Sequence, residues 1–168
     1  MTLSRSMKSA LSAATLPVLA LGLASMPAVA ATTTTTFGVS ATVQATCLVS
    51  ATPLAFGTYT GVAANSTSTV SVTCTNTTPY NVALSAGLAT GATVTTRKMI
   101  GPASALLTYA MYTDSSRTLN WGVTSGTDTV PGTGNGAAQG ITVYGQVPAG
   151  QYVAPGAYSD TITATVTY

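Results

Sequence analysis

Few side chains in this chain could do chemistry: Cys47 and Cys74, the aspartates Asp114, Asp128 and Asp160, and the run Asp114-Ser115-Ser116-Arg117. A serine nucleophile needs a base to take its proton. The chain has no histidine and no glutamate, and the one lysine beyond residue 30 is Lys98, so Ser115 and Ser116 lack an activating partner. A turn between strands accounts for them better than a catalytic cluster. The three aspartates lie far apart in sequence, and with no imidazole among the residues they make no metal site. Neither an enzymatic activity nor a cofactor is expected. The chemistry that remains is oxidation. In an oxidising compartment Cys47 and Cys74, 27 residues apart, most simply form one disulfide. Closing that loop stabilises a fold by roughly 3 to 4 kcal/mol on the chain-entropy estimate.

Residues 1–30 bear on the compartment. Arg5 and Lys8 precede an uncharged stretch through Leu11, Leu16, Val18, Leu19, Leu21 and Leu23, too short and broken for a membrane span, which closes on Pro27-Ala28-Val29-Ala30. Small side chains at Ala28 and Ala30 suit a signal peptidase, which predicts a mature chain beginning at Ala31. No second apolar segment of spanning length follows, so the product is expected to be released rather than membrane-spanning.

Once Arg5 and Lys8 leave, Arg97, Lys98 and Arg117 face Asp114, Asp128 and Asp160, and the net charge is zero. Charged residues make up 5% of the whole sequence, against about 25% in ordinary soluble domains. A basic footprint for nucleic acid or anionic lipid is absent. Low charge favours self-association, a defect in a monomer and a tolerable property in a subunit built to assemble. Arg97-Lys98 reads as a solvated pair at a turn.

Thr and Val dominate while Gly and Pro recur, which favours strands over helices. The pattern predicts strands at Thr33–Ala45, Leu54–Tyr59, Thr69–Thr75, Tyr80–Ala86, Leu106–Thr113, Gln139–Val147 and Tyr158–Tyr168, separated by turn signals such as Thr77-Thr78-Pro79, Gly101-Pro102 and Pro155-Gly156. Seven short strands imply an all-β sandwich with a single core. The stretch from Gly126 to Gly140 reads as its loosest loop. Trp121, Tyr109, Tyr112 and Tyr144 could form a sugar platform, but aromatics on strands are more simply core and edge packing.

The two terminal strands carry the strongest pattern. Phe37, Val39, Ala41, Val43, Ala45 and Cys47 fall on one face and Thr36, Gly38, Ser40, Thr42, Gln44 and Thr46 on the other. Alternation says that one face is buried. It does not say whether the burying core belongs to the same subunit or to another. At the other end Tyr158, Ile162, Ala164, Val166 and Tyr168 alternate with Ser159, Thr161, Thr163, Thr165 and Thr167. That strand is either ordinary core or a surface recognised by an assembly partner.

Several pieces together resemble a known family. Ala45-Thr46-Cys47, Val72-Thr73-Cys74-Thr75-Asn76, the stretch from Leu107 to Asp114 with Arg117 and Trp121-Gly122 following, and Pro155 to Tyr168 look like the spore-coat-protein-U-type domain, which includes the major pilins of archaic chaperone-usher pili. The resemblance spans nearly all of the chain beyond the leader. It implies an incomplete immunoglobulin-like β-sandwich lacking its last strand. A periplasmic chaperone fills the resulting groove, and an outer-membrane usher then exchanges it for the N-terminal extension of the next identical subunit. On this basis residues 1–30 are a signal peptide, 31–45 a donor strand presenting Phe37, Val39, Ala41 and Val43, and 46–168 the pilin domain. Ile162, Ala164, Val166 and Tyr168 then form the chaperone or groove edge. The expected product is a homopolymeric surface pilus, exported through the periplasm, carrying a tip subunit and supporting adhesion and biofilm formation. Two other readings are a non-polymerising secreted coat or matrix protein and a carbohydrate-binding module or tip adhesin. About 16 residues between the leader and Cys47 leave no room for a receptor-binding domain, which disfavours the tip role.

Overall fold

The computed structural model describes residues 28–168, so the leader at 1–30 lies almost wholly outside the described residues. The body is built from strands: β1 (Cys47–Ala51), β2 (Ala64–Cys74), β3 (Pro79–Leu84), β4 (Arg97–Ile100), β5 (Leu106–Tyr112), β6 (Val130–Thr133), β7 (Gln139–Val147) and β8 (Ala164–Thr167). No described helix is long and apolar enough to cross a membrane. One sheet runs β1-β2-β7-β5-β4 and the other β6-β3-β8, with every pairing antiparallel.

Strand patterning decides what the sheets enclose. In β2, Val70, Val72 and Cys74 are buried while Thr67 and Thr69 face out, and in β3 Tyr80, Val82 and Leu84 turn the same way from the opposing sheet. They meet Leu107, Tyr109 and Met111 of β5, Val143 and Val147 of β7, and Trp121 in one core. Trp121 is fully buried, its indole Nε1 donating to the Val82 carbonyl at 2.8 Å. This placement removes Trp121 from any sugar-binding surface, and Tyr109 is buried with it.

Cys47 and Cys74 are bonded, at the first residue of β1 and the last of β2, where they are register partners. Substituting either cysteine, or reducing the pair, should lower stability by roughly 3 to 4 kcal/mol. Urea denaturation with and without reductant measures this; coincident curves would show that the bond contributes nothing.

The strand expectations meet mixed outcomes. β7 occupies the predicted bounds, β3 and β5 nearly so, and β2 begins earlier, at Ala64. Three short strands, β1, β4 and β6, were not anticipated. β6 lies inside the stretch read as a loop. Of Tyr158–Tyr168 only Ala164–Thr167 forms a strand, with Ser159 making a single antiparallel bridge to Ile100 of β4, and neither Thr33–Ala45 nor Leu54–Tyr59 joins a ladder. The physical reason is common to all three: alternation supplies a face to bury, but a strand also needs a neighbour for its backbone.

The reading of Arg97-Lys98 as a solvated pair is corrected. Arg97 is 0% exposed. It stands on β4 with its guanidinium inside, where Nε donates to Ser85 O at 2.8 Å, Nη1 to Val94 O at 2.6 Å, and Nη2 to Leu84 O at 3.0 Å and Trp121 O at 2.6 Å. Desolvation pulls its pKa down to about 10, opposed by the nearby Tyr109, Asp160 and Asp128, so the group stays charged at neutral pH. The turn at Asp114-Ser115-Ser116-Arg117 is a turn as read: the Asp114 carboxylate accepts from the Thr118 and Leu119 amides. Those bonds, Leu119 foremost, hold its pKa below the ordinary value.

Candidate functional site

The segment after β1 and the segment before β8 both run extended across the edge of the core outside the strand ladders, tied to a sheet by the Thr52 amide donating to Thr69 O at 2.9 Å in the first and by the bridge of Ser159 to Ile100 of β4 in the second. Leu54, Phe56 and Tyr59 of the first, and Val153, Tyr158 and Ile162 of the second, pack against the core half-buried. Gly145 on β7 lets the first segment come so close: a Cβ there would stand 2.7 Å from Leu54 Cδ2 and 2.9 Å from Phe56 Cζ. Between the two segments lies a groove of about 1140 Å³. Its floor is the core itself, with Val70, Leu84, Leu107, Met111, Val143 and Val147, and its rims are residues 51–61 and 151–162 with Ala164. Small-molecule pockets span about 300–1,000 Å³, so this space suits a length of chain better than a compact ligand.

The backbone of the rims points the same way. Among the described residues, none of 53–60 and none of 151–158 makes a backbone–backbone hydrogen bond. Side chains take three of these groups, with Ser66 Oγ donating to Ala55 O, Tyr158 Oη donating to Ala154 O and the Gln151 amide donating to Tyr59 Oη. Two extended edges whose backbone is otherwise outside any ladder, facing each other across an apolar trough, present what an added strand requires.

At one end the rims are fastened together. The Gly150 amide donates to Gly61 O at 2.9 Å, the Tyr59 hydroxyl donates to Pro148 O at 2.7 Å, and the Gln151 amide donates to Tyr59 Oη at 3.1 Å. Gln151 is in turn held on β5, its Oε1 accepting from the Thr108 amide at 2.7 Å and its Nε2 donating to Thr108 O at 2.9 Å. Farther along the second rim, the Tyr109 hydroxyl donates to Asp160 Oδ2 at 2.7 Å, while Asp160 Oδ1 accepts from the Leu88 and Thr161 amides. Burial first, and then this hydrogen bond, push the Tyr109 phenol well above its usual range. Gly87 gives Asp160 its room: its φ is +90°, and a Cβ would fall 2.0 Å from the carboxylate.

The sequence-chosen residues divide. Ile162 and Ala164 line the groove. Val166 sits on β8 and packs into the core, and Tyr168 lies past the end of β8, 58% exposed. Phe37, Val39 and Val43 are 85%, 85% and 83% exposed, and Ala41 is exposed with them; all four lie in a stretch with no strand or helix. Tyr59 and Gln151 were not singled out, and Asp160, weighed only as a metal ligand, instead accepts from the Tyr109 hydroxyl. Leu54-Ala55-Phe56 was legible as a strand, but not as one left without a partner.

This architecture, an all-β body open along one side, has a solved counterpart. The fold is similar to that of a chain in the pre-assembly complex of the chaperone CsuC and the tip adhesion subunit CsuE from archaic chaperone-usher Csu pili of Acinetobacter baumannii, with a TM-score of 0.58 and 22% identity. The match covers 76% of this chain and 41% of that one, so this chain spans about two fifths of its length. Residues 33–165 match the Spore Coat Protein U domain, and the chain belongs to that family, which is structural rather than enzymatic. It is also 41% identical over 128 residues to Protein U of Myxococcus xanthus, covering 68% of this chain and 71% of that protein.

Proposed function

We propose that this protein is the structural subunit of a chaperone-usher surface pilus, in which residues 31–45 of one copy fill the groove of the next. The groove, with backbone–backbone hydrogen bonds absent over residues 53–60 and 151–158 of its two rims, is the observation that carries this reading. The exposed, strictly alternating face of Phe37, Val39, Ala41 and Val43 is its natural complement, and the family match begins at residue 33, so it takes in that segment. Burying Phe37, Val39 and Val43 at roughly 1.5 to 3 kcal/mol each gives several kcal/mol before backbone bonds are counted. Residues 46–168 are then the pilin body and 1–30 the export leader. The partners are a periplasmic chaperone that covers the groove before assembly, an outer-membrane usher, identical subunits and a tip subunit, and the polymer serves adhesion and biofilm formation at the cell surface.

Removing residues 31–45 should leave a chain that is captured by the chaperone and never polymerises, as read by co-purification and electron microscopy of surface fibres. Fibres from the deleted chain would sink the proposal. The family's description as a spore coat protein favours a second reading, a non-polymerising coat protein. That reading predicts a monodisperse monomer, made without any partner, whose behaviour survives the same deletion.

A further inference from the structure

The segment that would fill the groove carries an ambiguity that its own sequence does not remove. Phe37, Val39, Ala41 and Val43 repeat every two residues. A slip of one residue would turn threonines and serine inward, but a slip of two returns an apolar side chain to nearly every position. The acceptor must therefore supply a mark against which the strand is set.

We propose that the clasp formed by Tyr59, Pro148 and Gln151 is the stop that fixes the register of residues 31–45 of a second copy, an inference that rests on the donor-strand reading above. Rims flanking an inserted strand stand about 9.5 Å apart, twice the spacing of neighbouring strands. Where the Gly150 amide bonds to Gly61 O at 2.9 Å the rims are direct neighbours, with no room for backbone between them. A strand filling the groove ends there. The Tyr59 hydroxyl is used as donor, to Pro148 O, and as acceptor, from the Gln151 amide. Through the two bonds of the Gln151 side chain to Thr108 the clasp is fixed to β5 rather than to a free loop. The stop is thus anchored to the same sheet that floors the groove.

Register is read directly by placing the photo-crosslinking residue p-benzoylphenylalanine at Phe37, aromatic for aromatic, in the full chain and mapping its crosslinks to the neighbouring subunit in assembled fibres by mass spectrometry. In otherwise wild-type subunits one groove position should be labelled. In Tyr59→Phe, which keeps the ring and removes both hydrogen bonds, a second position displaced by about two residues toward Gly61 should appear in comparable yield. Gln151→Ala should give the same split and guards against a folding defect in the first variant. A single, unmoved position in both variants would overturn the clasp as a stop while leaving the donor strand in place. Faster assembly in the variants with register unchanged would make the clasp a lid, and would overturn the proposal equally. No crosslink between subunits in the wild type would overturn the donor-strand reading itself.

Discussion

Cells producing Val39→Asp should display no long fibres, whereas Ser40→Asp should assemble as the wild type does. The two positions are adjacent, both are exposed in the described chain, and neither lies in a strand. Nothing local distinguishes them except the face they occupy once the segment becomes extended. On the donor-strand reading Val39 enters the neighbour's groove, where its aspartate replacement loses roughly 1.5 to 3 kcal/mol of apolar burial and adds the cost of an unpaired carboxylate among Val, Leu and Met side chains. A combined loss of about 4 kcal/mol or more weakens each subunit contact about a thousandfold. Folding of the Val39→Asp subunit and its capture by the chaperone should be unaffected, because the altered residue lies outside its own core. Electron microscopy and heat-resistant ladders on gels report polymer length, and chaperone co-purification reports folding. Equal assembly of the two variants would remove the segment from the groove; failure of Val39→Asp to fold at all would return the strand to its own subunit.

Arg97→Met should cost roughly 3 to 5 kcal/mol, because several buried carbonyls lose a charge-assisted donor at about 1 to 3 kcal/mol each. The side chain joins the end of β3, the loop at Val94 and the strandless segment at Trp121, and its loss leaves four carbonyl oxygens, those of Leu84, Ser85, Val94 and Trp121, without this donor. Arg97→Lys should recover only part of the loss, because an ammonium offers three donors from one point instead of a planar fork. Trp121 is the single tryptophan and is fully buried beside this network, so its fluorescence follows unfolding without a competing signal. With a urea slope of about 2 kcal/mol/M, the midpoint of Arg97→Met should fall by about 2 M. A shift corresponding to less than about 1 kcal/mol would show that the carbonyls find other partners, water included.

Arg97 also marks where reading the sequence fails. Its environment comes from segments up to 24 residues away, and a cation beside a second cation on a short strand gives no local sign of burial. By contrast β7 was legible at its bounds, because Ile141, Val143, Gly145 and Val147 alternate with polar neighbours over a full strand length and pair on both sides, with β2 and β5. The rims fall between these cases. Leu54, Phe56, Val153 and Ile162 carry the pattern of buried strand faces, and they do pack on the core. What pattern cannot report is that among the described residues these segments join no ladder. The same holds for Phe37 to Val43, whose alternation was plain while its destination was not. The clasp was out of reach for a different reason, since Tyr59 and Gln151 are brought together across 92 positions by topology alone.

The position of the disulfide bears on how such a subunit behaves when pulled. Cys47 is the first residue of β1, directly following the segment that would leave for a neighbour, and its bond leads to the far end of β2. Tension arriving along residues 31–46 therefore passes at once into a covalent link and on into the central sheet, and β1 is never loaded from its end. Without that bond the same force would peel β1 from β2 one hydrogen bond at a time, the weakest way to break a strand pair. With it, on the donor-strand reading, the load enters β2, which is held to β7 along nine paired positions, from Ala64 opposite Val147 to Val72 opposite Gln139.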